Sequence, residues 1–203
     1  GAPDLYPADL RDDIDALNQQ LFDDVNNGPY KVLFAGSRQA ARVAKGVWEA
    51  RLAELDFRLA TRRYLFGERL TDSDVRLFVT LLSFDQGYRP SFPPEIGPAA
   101  RITDFPSLWA YARDLFATPG FVVEPELRST GILSYADGTW RSSFGGPRTA
   151  DPVDGNPLAR WTEPADREGL GGSSLFSGPG GAGSWEQLRG WTESCRAGRL
   201  TGI

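Results

Sequence analysis

The run Leu70-Thr71-Asp72-Ser73-Asp74-Val75 constrains the fold more than any other part of the chain. A threonine followed three residues later by a carboxylate closes a helix N-terminus reciprocally. The Asp74 carboxylate reaches back to the Thr71 amide, and the Thr71 hydroxyl serves the Asp74 amide. Leu70 supplies the apolar residue ahead of the cap. Beyond it, Val75, Phe78, Val79, Leu81 and Leu82 make the helix apolar around most of its circumference, as expected of the central helix of an all-α domain.

The flanking periodicities predict the helices that would surround it. Leu10, Ile14, Leu17, Leu21 and Val25 fall on one face of a helix that Asn26-Asn27-Gly28-Pro29 ends. Ser37 is an N-cap for a long helix running to about Arg62, with Val43, Val47, Leu52, Leu55 and Leu59 inward, antiparallel to the first. A proline-rich loop spans Gly87 to Thr103. A further helix fits Pro106 to Phe116, with Leu108, Tyr111, Ala112 and Leu115 on its inner face. No alternating pattern precedes Gly131, although Ile132 to Tyr135 reads as a short strand. The expectation is a bundle of at least four helices over residues 1–135.

Residues 136–203 differ in composition: 13 of the 23 glycines fall after residue 144, which marks this part as an irregular Gly/Pro/Trp-rich extension. Trp140, Phe144, Trp161, Phe176, Trp185 and Trp191 are the residues by which it would wrap onto the bundle, and Trp185 to Arg199 suits one closing helix.

The inventory excludes several chemistries. There is no histidine and one cysteine, so Ser-His-Asp and Cys-His catalysis, histidine-held metals and disulfides are ruled out for these residues, and no metal site is expected. The absence of methionine leads to the expectation of a processed chain or a piece of a longer one. A net charge of −5 argues against nucleic-acid and other polyanionic partners. No apolar stretch approaches a membrane span and no signal peptide is present, which gives a cytoplasmic expectation without membrane contact. The preference for arginine over lysine, with abundant alanine and glycine, points to a GC-rich bacterial genome.

Few residues stand out as chemical. Cys195 lacks any neighbour beyond Arg196 to hold it as a thiolate and reads as an incidental thiol. Asp12-Asp13 and Asp23-Asp24 fall on a polar helix face. Gly178-Pro179-Gly180-Gly181 lacks the Lys-Ser/Thr of a phosphate loop. Tyr30, at a helix exit, and Tyr88, at the end of the central helix, are each either amphipathic anchors or phenols standing in a cleft.

Longer runs carry a resemblance. Asp4-Leu5-Tyr6-Pro7, Ile14-Asp15-Ala16-Leu17-Asn18, Asn26-Asn27-Gly28-Pro29-Tyr30-Lys31, Arg63-Tyr64-Leu65-Phe66-Gly67, Leu70-Thr71-Asp72-Ser73-Asp74 and Asp104-Phe105-Pro106-Ser107-Leu108-Trp109 together resemble the C-terminal helical domain of the Xi-class glutathione transferases, the glutathionyl-hydroquinone reductases. The likeness is nearly continuous from Asp4 to Phe121. Ser129-Thr130-Gly131-Ile132 is similar to the family's Pro-Thr-Gly-Ile segment, and Trp161 to Gly172 to its C-terminal end.

The resemblance implies a glutathione-transferase C-terminal-like helical bundle that shapes an electrophile pocket. In the family, a thioredoxin-like domain binds glutathione and carries the nucleophile in a Cys-Pro-Trp-Ala motif, which does not occur in these 203 residues. The chain alone is therefore expected to be inactive, with no catalytic residue and with glutathione as the cofactor of the complete assembly. Tyr30 matches the tyrosine that lines the substrate pocket, and Tyr88 belongs to a partly retained run, Phe84, Asp85, Tyr88 and Phe92, in which Ser91 and Pro93 replace histidine and lysine. A second family tyrosine, in a His-Tyr run, has no counterpart between Phe121 and Ser129. The implied partners are an aromatic or quinone-type small molecule and a second copy in a homodimer. The alternative is a non-enzymatic dimerisation or small-molecule-binding module derived from the family.

Overall fold

A computed structural model describes residues 4–132, 139–141, 147–149 and 157–171. A 3-10 turn leads into α1 (Arg11–Gln20), followed by a π-helical turn at Leu21–Asn26, α2 (Gly28–Leu33), α3 (Arg38–Leu59) and α4 (Asp72–Ser83). A second π-helical turn, Phe84–Tyr88, opens the proline-rich stretch, where short 3-10 turns begin at or beside prolines. Then come α5 (Pro106–Ala117), α6 (Glu124–Ser129), the two-stranded ribbon of β1 (Thr139–Arg141) and β2 (Pro147–Thr149), and α7 (Pro157–Trp161). The strands pair antiparallel, Thr139 opposite Thr149 and Arg141 opposite Pro147. Helix dominates, and among the described residues no helix is long and apolar enough to cross a membrane.

The start of α4 organises the interior. The Thr71 amide donates to Asp74 Oδ2 at 2.8 Å and the Thr71 hydroxyl to the same oxygen at 3.0 Å, closing the capping box. Asp74 Oδ1 accepts from the Leu65 amide and from the Tyr111 hydroxyl, each at 2.9 Å. One carboxylate thus ties the turn after α3, the N-terminus of α4 and the middle of α5 together. Burial pushes the Asp74 carboxyl above its ordinary value, against the four donors that favour its charged form. Asn18 fastens α1 to the same place, donating to Asp72 at 2.9 Å and accepting from the Ser73 hydroxyl at 2.7 Å.

Two arginines complete the polar interior. Arg63 grips Asp114 of α5 through two parallel bonds, at 2.9 and 3.0 Å, with both side chains about nine-tenths buried. Arg167, beyond α7, donates to the carbonyls of Leu59 at 3.0 Å, Arg63 at 3.1 Å and Ser107 at 3.2 Å, and also to that of Arg62. The Leu59 carbonyl is one that the end of α3 leaves without a helical partner, those of Arg62 and Arg63 lie in the turn beyond it and that of Ser107 in the first turn of α5, and a cation at the end of α3 also suits the helix dipole. Trp161 anchors α7 against Phe78, Trp109 and Phe116, at ring distances of 6.3, 4.8 and 5.3 Å.

Several expectations are corrected. Gly28-Pro29 does not only end a helix. Proline occupies the first turn of α2, where its missing N–H costs nothing, so Tyr30 lies inside a helix. The Ser37 cap of α3 receives the Ala40 amide at 3.1 Å, but Val43 and Val47 point outward, 56% and 48% exposed, while Ala41, Trp48, Leu52, Leu55 and Leu59 are buried. The inner face is set by Trp48 and the leucines, roughly a third of a helical turn away from the two valines. Val79 of α4 is likewise exposed. Ile132 is in no strand, and Leu133 to Tyr135 lie outside the described residues, as do Phe144, Phe176, Trp185, Trp191, the closing helix expected at Trp185 to Arg199, and Cys195.

Replacing Asp74 by alanine strands the Leu65 and Thr71 amides in the interior. It is expected to cost about 3 kcal/mol or more, against about 1 kcal/mol for Thr71→Ala. Equilibrium urea unfolding checks the ranking, and equal losses would show that the carboxylate does no more than cap α4.

Candidate functional site

Tyr30 and Tyr88, separated by 58 residues, meet through their hydroxyls at 3.1 Å, where either oxygen can donate. Their rings stand edge to face, 5.4 Å apart at 77°. The other side of Tyr30 stacks on Phe34, at 6.2 Å and 16°, and the Phe34 ring is 75% exposed. The result is a phenol pair beside an open aromatic face.

Local geometry brings the two phenols together. Each follows or ends a π-helical turn, a widened turn that redirects the chain and recurs at functional sites. Asn26 pins the first turn onto α4, donating to the Arg76 carbonyl at 2.9 Å and to the Thr80 hydroxyl at 2.6 Å. Below the tyrosines, Trp48 of α3 stacks on Phe84, with centroids 3.9 Å apart, and Phe84 in turn meets Phe92 edge-on. Gly28 is what lets α2 descend onto this stack: a Cβ there would lie 2.2 Å from Trp48 Cδ1. Trp48 therefore supports the Tyr30 side through Gly28 and the Tyr88 side through Phe84.

Burial, and then the bond with Tyr30, push the Tyr88 phenol well above its ordinary value. It stays protonated at neutral pH and able to donate a hydrogen bond. The pair can thus offer a phenolic donor to a ligand oxygen next to a flat apolar surface. Among the described residues no group of carboxylates able to hold a metal ion lies beside it.

The other candidates do not converge on it. Asp24 pairs with Arg51 at 2.8 Å, and Asp23 accepts from Gln19 at 2.9 Å, so the two carboxylates serve the surface of the α1 side rather than one another. Thr71 and Asp74 lie in the cap of α4. As parts of the site, Phe34, Gly28, Trp48 and Asn26 escaped the sequence reading, in which Asn26 and Gly28 figured only as residues that end a helix and belong to the resembled run.

No protein-family model matches the chain. It is 43% identical over 121 residues to the glutathionyl-hydroquinone reductase YqjG of Escherichia coli, a match covering 59% of this chain and 35% of that protein. The glutathione-bound structure of YqjG superposes with a TM-score of 0.62 at 32% identity, over 83% of this chain and 52% of the other. A glutathione transferase from Gordonia bronchialis matches with a TM-score of 0.67 at 36% identity, over 86% of this chain and 52% of that one. The glutathione transferase Xi of Phanerochaete chrysosporium gives 0.60 at 30% identity, over 76% and 51%. The chain thus spans about a third to a half of the length of these proteins.

Two measurements check the geometry. Gly28→Ala should destabilise the protein by about 1–3 kcal/mol through overpacking against Trp48 and shift its indole emission, although alanine's helix preference alone would stabilise by about 1 kcal/mol. A gain in stability would refute the close approach. Burial also raises the Tyr64 and Tyr111 phenols. Folded values above the unfolded one of about 10 mean that their stabilisation is complete below that pH and is lost as pH rises through the folded values. In an alkaline titration followed by phenolate absorbance, Tyr88→Phe is expected to remove one tyrosine from the late phase.

Proposed function

We propose that this chain, whose homologues are the Xi-class glutathione transferases and glutathionyl-hydroquinone reductases, supplies the electrophile-receiving half of such a protein. In this reading the Tyr30 and Tyr88 pair is where an aromatic or quinone-type molecule docks. The carrying observation is the 3.1 Å contact between two phenols from separate elements, with an exposed Phe34 ring stacked beside them. A quinone or quinol oxygen accepts from the phenols while its ring lies against the aromatic face.

Thiol chemistry is assigned outside these residues. The Cys-Pro-Trp-Ala motif of the resembled family does not occur in them, and Cys195 is the only thiol. Glutathione is a co-substrate of the complete type of protein, and the 203 residues alone do not transfer thiols.

Titration with a naphthoquinone, followed by tryptophan fluorescence in a Cys195→Ser background that prevents covalent addition, tests the pocket. Tyr30→Phe and Tyr88→Phe should each weaken binding by about fivefold, the equivalent of one hydrogen bond. Unchanged affinity in both variants removes their role. Separately, glutathione-dependent reduction of a glutathionyl-hydroquinone by the 203 residues should stay at background. Turnover that disappears with Cys195→Ser would show that the chain carries its own thiol chemistry.

A further inference from the structure

One flank of α3 holds main chain rather than side chains. Arg42 donates to the Glu95 carbonyl at 2.9 Å, Lys45 to the Pro98 carbonyl at 2.7 Å, and Glu49 accepts from the Ala100 amide at 2.9 Å. Residues 42, 45 and 49 share one face of the helix, cations against carbonyls and the carboxylate against an amide, so residues 92–100 lie as a strap along α3. The strap has few other fastenings. Pro93, Pro94 and Pro98 offer no N–H, and among the described residues its own backbone bonds are local ones, such as Ile96 to Pro93 and Gly97 to Pro94, each at 3.2 Å.

The strap touches the supports of both phenols. Val32, two residues beyond Tyr30 in α2, is buried with Ala41 of α3 and Ile96 of the strap in a small cluster separate from the main core. Phe92 packs against that cluster and against the main core, where its ring stands edge-on to Phe84, 5.8 Å away. Only the 3-10 turn Arg89–Ser91 separates Phe92 from Tyr88. Ile96 thus backs the helix that carries Tyr30, and Phe92 backs the turn that carries Tyr88.

We propose that the strap is a clamp on this site: docked along α3 it keeps Tyr30 and Tyr88 in hydrogen-bond contact, and lifted from α3 it lets them part. Arg42, Lys45 and Glu49 are then positioning residues, acting on the phenols through Ile96 and Phe92. A segment fastened by partly exposed side chains and one small apolar cluster opens at lower cost than the core. The capping box of α4 and the ion pair of Arg63 with Asp114 involve no strap residue, so the bundle outlasts the opening. The clamp rests on the docking reading only where it governs ligand affinity, because contact between the phenols is measurable without a ligand.

The full 203-residue chain provides the test. In Lys45→Met/Glu49→Leu both new residues are good helix formers, so helical circular dichroism should be unchanged, while amide exchange across residues 92–100 should rise about tenfold or more through the loss of two bonds. In the alkaline titration Tyr88 alone should leave the late phase, with Tyr64 and Tyr111 remaining in it. Ile96→Ala should act as the double variant does, and Lys45→Arg, which keeps a donor, should leave all three phenols late. A merely structural role would move the three phenols together. That result, unchanged exchange in the strap, or faster exchange with Tyr88 still late overturns the clamp. Naphthoquinone should bind the double variant about fivefold more weakly than the wild type, and equal affinity overturns the clamp as well. Failure of the wild type to bind naphthoquinone at all removes the docking reading, and the exchange and titration outcomes then decide the clamp.

Discussion

The Asp74 carboxylate is the point on which the bundle turns. It closes the N-terminus of α4, receives the backbone of the turn that follows α3, and takes the phenol of Tyr111 from α5. None of the three elements reaches its final position without the other two, since each supplies a donor that would otherwise be buried without a partner. Neighbouring Asp114 solves the same burial problem differently, through a two-pronged guanidinium. The interior therefore holds one carboxylate satisfied by neutral dipoles and one by a cation, both at the junction of α3 with α5.

What was legible in the sequence follows from how local each cause is. The cap of α4 is written in residues three apart, and Leu108, Tyr111, Ala112 and Leu115 repeat at helical spacing, so both were readable. The orientation of α3 was not. Its valines and its leucines each make a periodic apolar face, and periodicity cannot say which one turns inward. Trp48 decides it, because its ring has to reach Phe84. The start of α2 was obscured for a related reason: a Gly-Pro pair ends one helix and begins the next with equal ease.

The site was legible only in pieces. Both tyrosines were candidates, but nothing in the chain announced that they touch, since two widened helical turns and the absence of a Cβ at Gly28 bring them together. Phe34, which forms the open face beside them, has no distinguishing neighbour in sequence. The pair depends on a packing column of Gly28, Trp48 and Phe84 that has no polar character and no motif.

Arg167 carries a consequence for how this chain comes into being. It closes carbonyls at the end of α3 and in the turn after it that lie 104 to 108 residues earlier. During synthesis α3, α4 and α5 emerge long before the guanidinium that satisfies them, and the aromatic cluster awaiting Trp161 is open for the same interval. Contacts of such high sequence separation form late and leave apolar surface transiently bare. The nascent bundle is therefore most open to misassociation in the stretch of translation between Phe116 and Arg167, and its last stabilising step coincides with the arrival of its C-terminal part.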